Sequence, residues 1–165
     1  MSSLDITIGS QRPEDAEAVE RLQARAFGPG RFARTAFRIR EQARDAELLA
    51  FVARVGSLLV GAVQLTPIRI GDQAAYMLGP LVVDPAFEGK GIGGALLERS
   101  AIAARADRRD LILLVGDEVY YARHGYKRVP AGRIRLPGPV DPMRLLAFEL
   151  VPEALASAAG DVRGG

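Results

Sequence analysis

Within residues 78–94, LGPLVVDPAFEGKGIGG, an apolar run ends at Asp84-Pro85, and four glycines then fall within six residues: Gly89, Gly91, Gly93 and Gly94. They directly precede an amphipathic stretch, so they stand where the first turn of a helix leaves its N–H groups unpaired. Those amides and the positive end of the helix dipole favour an anion, and glycine removes the Cβ atoms that would hold a phosphate away. One glycine would serve an ordinary strand-to-helix turn, whereas four carry an entropic cost that a plain turn need not incur. Phosphate binding is the chemistry expected here. No GxxxxGK[ST] loop occurs, so a Walker A site is excluded. Gly89, Gly91 and Gly94 do satisfy GxGxxG, with Asp117 further on, but residues 84–88 separate the strand from the first glycine. Too little chain follows Asp117 for the rest of a dinucleotide-binding fold.

A second cluster lies at residues 115–129, VGDEVYYARHGYKRV, where Tyr120 and Tyr121 adjoin just before Gly125. A phenol with an ordinary pKa near ~10 stays protonated at neutral pH and can donate to a departing thiolate, whose acid titrates near ~8.5. Asp117 and Glu118 are carboxylates at the end of the preceding strand, but helix capping accounts for them as well as base catalysis does, so no base is assigned. The single histidine, His124, falls near a helix C-terminus and reads as structural. With no cysteine and no GxSxG elbow, thiolate zinc sites, thiol nucleophiles and Ser-His-Asp chemistry lack their residues, and no metal is expected. A formal net charge of +2 is too mild to require nucleic acid. Arg31, Arg34 and Arg38 recur at helical spacing, with Arg40 and Arg44 following, and read as a solvated face.

The length of 165 residues suits one domain. Residues 4–8 alternate as a short strand, and Pro13-Glu14-Asp15 opens a helix that runs to about Phe27, before Gly28-Pro29-Gly30. A second helix is expected over 31–43. Residues 48–55 and 58–70 form a hairpin about Gly56-Ser57, and 76–83 adds a third strand, giving an antiparallel meander. Residues 91–106 place Ile92, Leu96, Leu97 and Ala101 on one helical face, and 111–115 is a buried strand. This strand-helix-strand order predicts that 76–83 and 111–115 run parallel. Gly79-Pro80 within a strand predicts a bulge. A short helix over 118–124, an irregular segment over 130–142 and a last strand over 145–151 complete the core, and a frayed tail is expected from Pro152 onward. The fold class is α+β, a three-layer α/β/α arrangement about a mixed sheet.

Residues 78–97, LGPLVVDPAFEGKGIGGALL, resemble the acetyl-CoA motif of the GCN5-related N-acetyltransferases, [Q/R]xxGx[G/A], aligned on Glu88, Gly91 and Gly93. The second cluster resembles that family's later segment, a tyrosine four residues before a glycine and an aromatic, here Tyr121, Gly125 and Tyr126. The two matches have the family's order and separation, and the wording is most similar to a bacterial subgroup of predicted acetyltransferases. The resemblance implies a mostly antiparallel sheet with one splayed parallel pair. It also implies one acyl-CoA N-acyltransferase domain over residues 1–151, with a flexible tail over 152–165. The implied reaction moves an acetyl group from acetyl-CoA, the cosubstrate, to a primary amine by direct attack, without metal.

By the same resemblance, the backbone of Leu81, Val82 and Val83 docks pantetheine, one of their N–H groups polarises the thioester carbonyl, and Glu88, Gly89, Lys90, Gly91, Ile92, Gly93 and Gly94 hold the diphosphate. Tyr121 is the implied general acid. Glu88 stands where the family has Gln or Arg, and its carboxylate is expected to turn outward. An Asn common near the start of the family's last site helix is replaced by Asp117 and Glu118. Expected partners are a small-molecule or peptide amine, with no membrane and no nucleic acid, a homodimer being left open. The expected location is the cytoplasm. A protein that binds acyl-CoA as a sensor or interaction module without turnover is the alternative.

Overall fold

A computed structural model describes residues 5–27 and 48–165 of the chain. Strand β1 (Ile6–Ser10) leads through a 3-10 turn at Pro13–Asp15 into helix α1 (Ala16–Phe27). Pro13 at the helix entrance fits because its missing N–H would have no partner there. Asp15 is buried, accepts from the Arg12 amide at 2.8 Å and pairs with Arg54, which holds its carboxyl below the usual range. The helix expected over 31–43, with Arg31, Arg34, Arg38, Arg40 and Arg44, lies outside the described residues.

Strands β2 (Leu49–Val55), β3 (Leu58–Ile70) and β4 (Gln73–Val83) form the expected meander. The two-residue turn at Gly56-Ser57 sets Val55 opposite Leu58, with Gly56 at φ +61°. Helix α2 (Ile92–Ala106) then crosses to β5 (Leu111–Val115), which lies parallel to β4. The chain continues through α3 (Glu118–Ala122), β6 (Lys127–Arg128), β7 (Ile134–Arg135), β8 (Leu145–Glu149), α4 (Ala154–Ser157) and β9 (Gly160–Gly164). The main sheet runs β1-β2-β3-β4-β5-β8-β6, antiparallel except for β4–β5.

The β5 run LILLV is buried on both faces. Ile112 and Leu114 meet α2 through Leu96 and Leu97, while Leu111 and Leu113 pack on the other side with Ile68, Met77 and Leu155. Helix α1 covers that second face further along, setting Val19 and Leu22 on Val52, Ala62 and Val82. The result is three layers, α2 on one face and α1 and α4 on the other. Among the described residues no helix is long and apolar enough to cross a membrane.

The frayed tail expected from Pro152 is instead ordered into α4 and β9. Strand β9 pairs antiparallel with Ile68–Ile70 of β3 and parallel with β7, and Ala154, Leu155, Ala158 and Val162 are buried. Of the small residues in the tail, Ala154 and Ala158 lie buried, whereas Ala156, Ser157 and Ala159 are exposed. The segment 130–142, expected to be irregular, contributes the two residues of β7.

Candidate active site

The expected bulge at Gly79-Pro80 is present. Between matched pairs, β3 advances from Val63 to Leu65 while β4 advances from Leu78 to Leu81, so β4 carries one extra residue there; the Gly79–Pro80 peptide is cis. Parallel pairing of β4 with β5 covers only Ala75–Met77 against Leu111–Leu113. Beyond it the two strands part, and among the described residues the rest of β4 keeps only β3 as a paired strand.

The register shows which groups open toward that gap. The Asp84 amide donates to the Val60 carbonyl at 2.8 Å, and hydrogen-bonded pairs alternate along an antiparallel ladder. Two residues back, Val82 therefore directs its N–H and C=O to Ala62 on β3. Leu81 and Val83 direct theirs the other way, to the edge that β5 has left. Of the three residues expected to dock a ligand by backbone hydrogen bonds, Val82 is thus corrected: its polar groups are committed to the ladder and its side chain to the α1 side of the core.

At the end of β4, Asp84 accepts from Ala86 N and caps a 3-10 turn, after which Glu88, Gly89, Lys90 and Gly91 are exposed. Gly89 (φ +75°) and Gly91 (φ +82°) adopt left-handed conformations that side chains disfavour, and no atom lies within 4 Å of where their Cβ would be. That open cradle before the 15-residue α2 has the form an anion needs. Ile92 is a core residue and offers only its amide. Gly93 and Gly94 serve a different purpose. A methyl at Gly93 would overlap the Tyr120 hydroxyl, and one at Gly94 would lie 2.9 Å from His124 Cε1. Their missing side chains seat two rings of α3 and the turn after it. The Glu88 carboxylate is exposed and has no hydrogen bond or ion pair among the described residues.

Helix α3 is short and fixed at both ends. Asp117 accepts from Val119 N at 3.2 Å as N-cap, and Glu118 pairs with Arg128 at 2.7 Å. Both carboxylates are thus structurally engaged. At the other end Gly125 (φ +89°) donates to the Ala122 carbonyl and Tyr126 N donates to the Tyr121 carbonyl, a Schellman closure that explains a glycine-aromatic pair at this place. The Tyr121 ring meets Tyr120 edge-on at 4.9 Å and Tyr126 at 5.7 Å. Burial pushes its phenol up to about 12.

Two residues of this cluster carried no signal of their own in the sequence. Gly116 faces Tyr121 so closely that a methyl there would overlap the ring. Arg144 clasps Gly116 from both sides, accepting from its N–H at 2.9 Å and donating from Nε to its carbonyl at 3.4 Å.

The family model described as an acetyltransferase (GNAT) domain matches residues 46–128, from β2 to β6. This chain belongs to the GNAT acetyltransferases. It is accordingly an acyltransferase, and the splayed β4–β5 pair, the glycine cradle and Tyr121 all fall inside the matched span. Among curated proteins, YjhQ of Escherichia coli K12, an uncharacterized N-acetyltransferase, is 27% identical over 117 residues, which span 68% of this chain and 65% of that protein. Among solved structures, the GNAT protein YhbS of Escherichia coli, in complex with CoA, superposes with a TM-score of 0.84 at 22% identity, covering 100% of this chain and 92% of YhbS. A GNAT acetyltransferase of Brucella melitensis in complex with acetyl-CoA gives 0.72 at 27% identity, covering 97% and 96%. The expected GNAT fold, mostly antiparallel with one parallel pair, is therefore the one found.

Proposed function

We propose that this GNAT enzyme transfers the acetyl group of acetyl-CoA to the primary amine of a small-molecule or peptide acceptor by direct attack. The carrying observation is the parting of β4 and β5 beyond Met77 and Leu113, which opens the Leu81 and Val83 backbone between the α2 cradle and Tyr121. An extended pantetheine chain fits such an edge as an added strand would. The amides of Gly89 to Gly94 then hold the diphosphate, with Lys90 beside them.

In this reading one outward N–H of Leu81 or Val83 polarises the thioester carbonyl and stabilises negative charge that develops on its oxygen. The amine nitrogen bonds to the carbonyl carbon, the carbon–sulfur bond breaks, and sulfur takes the Tyr121 proton. A phenol with pKa about 12 is fully protonated at neutral pH, so the donor is always loaded. The phenolate it leaves is a strong base that recovers a proton at once from the amine or water. Asp117 and Glu118, held by capping and by Arg128, are not called upon as base.

The test measures free thiol released from acetyl-CoA across a panel of amines, peptides and amine-bearing antibiotics. Turnover with at least one acceptor is expected, and Tyr121→Phe should lower kcat by about 10²-fold or more while CoA affinity is unchanged. Tight CoA binding with no thiol release from any acceptor would favour the acyl-CoA-binding module instead.

A further inference from the structure

The two adjacent tyrosines point to different ends of the cleft, and only one has been given a task. Tyr121 lies on Gly116 at the end of β5, whereas the Tyr120 hydroxyl lies on Gly93, the second residue of α2. In a helix each Cα–Cβ bond tilts toward the N-terminus. A hydroxyl occupying the Cβ place of Gly93 therefore stands toward the end of α2 where the first-turn amides open. The ring is fixed there by Tyr121 at 4.9 Å and His124 at 5.2 Å. Among the described residues the half-buried phenol has no hydrogen-bond partner, and its hydroxyl still reaches solvent, so its donor is open to a ligand. Burial raises its pKa, so it remains a donor, and the Arg123 guanidinium adds positive charge to the same neighbourhood.

We propose that Tyr120 is an acyl-CoA-binding residue whose hydroxyl donates a hydrogen bond to the diphosphate held at the N-terminus of α2. This rests on the reading that the diphosphate occupies the glycine cradle. The two tyrosines then divide the cosubstrate between them, Tyr120 taking the phosphate end and Tyr121 the sulfur end. Gly93 is glycine because the donor needs its space.

The experiment compares Tyr120→Phe with the parent enzyme in CoA calorimetry and in kinetics with acetyl-CoA and with acetyl-pantetheine, which has no diphosphate. Phenylalanine preserves the ring and its packing. Expected are a CoA Kd and an acetyl-CoA KM raised about tenfold, a kcat within about twofold, and an unchanged KM for acetyl-pantetheine. Unchanged CoA affinity in Tyr120→Phe, or an equal loss with acetyl-pantetheine, would overturn the assignment. Gly91→Val, measured alongside, reports on the cradle itself through the strain at φ +82°. If Gly91→Val binds CoA as the parent does, the diphosphate lies elsewhere and the cradle reading falls; if it loses affinity while Tyr120→Phe does not, only the role of Tyr120 falls.

Discussion

Among the described residues four ring side chains rest where a glycine has no Cβ: Tyr120 on Gly93, His124 on Gly94, Tyr121 on Gly116 and Phe148 on Gly125. Each contact is a steric demand on the glycine, so its removal is testable without touching the ring. Gly116→Ala should push Tyr121 out of place, lowering kcat toward the level of Tyr121→Phe although every reactive group is still present. Overpacking of this kind costs about 1–3 kcal/mol, which a denaturant titration would register. A Gly116→Ala enzyme with normal turnover would show that the Tyr121 ring position is not needed. His124 illustrates the same principle: it reads as structural from the sequence, and its ring is held by the close approach of α2 at Gly94.

At the scale of elements, β4 has two halves with different obligations. Its first half is paired on both sides, while among the described residues no strand pairs with the edge that Leu81 and Val83 face. Amide hydrogen exchange should therefore be fast at Leu81, slow at Val82 and fast at Val83 in the free protein. CoA or acetyl-CoA should slow the two outer amides and leave Val82 unchanged. Uniform protection along the three residues before ligand is added would contradict the derived register. This half of the strand was legible in the sequence because its signals are local: Gly79-Pro80 marks the bulge, Asp84-Pro85 ends the strand and the strand-helix-strand order fixes the parallel pair. The seats at Gly93 and Gly94 were not legible, since the rings that fill them come from a separate element beyond β5. Strand β9 was not legible either. Gly160–Gly164 buries a single apolar residue, Val162, and becomes a strand because the long edge of β3 is there to pair with it.

For the whole molecule, the tyrosines make stability depend on alkaline pH. Tyr76 and Tyr121 are both raised to about 12 by burial, Tyr76 also by its hydrogen bond to Asp107 at 2.6 Å, and Tyr126 is raised further by deep burial. A group whose folded pKa exceeds its unfolded value contributes stability that is fully present below the unfolded pKa, near ~10 for a phenol, and lost as pH rises through the folded one. The unfolding midpoint should accordingly hold steady to about pH 10 and fall toward pH 12. The chain has only two lysines, so few other groups titrate in that window and the loss can be matched to tyrosinate absorbance. Tyrosinate forming freely near pH 10 with no loss of stability would refute this.

Strand β3 is the longest in the sheet, and β2 accompanies it only from Leu58 to Leu65. Past that point its flank would offer a row of open backbone groups beside Ile68 and Ile70, the kind of template on which a second chain can add itself. Strand β9 occupies that flank at Ile68–Ile70, and β7 in turn lies along β9. Five residues of mostly small side chains thus act as a chaperone built into the fold. They leave the cleft untouched and remove the flank of β3 as an edge on which another strand could add.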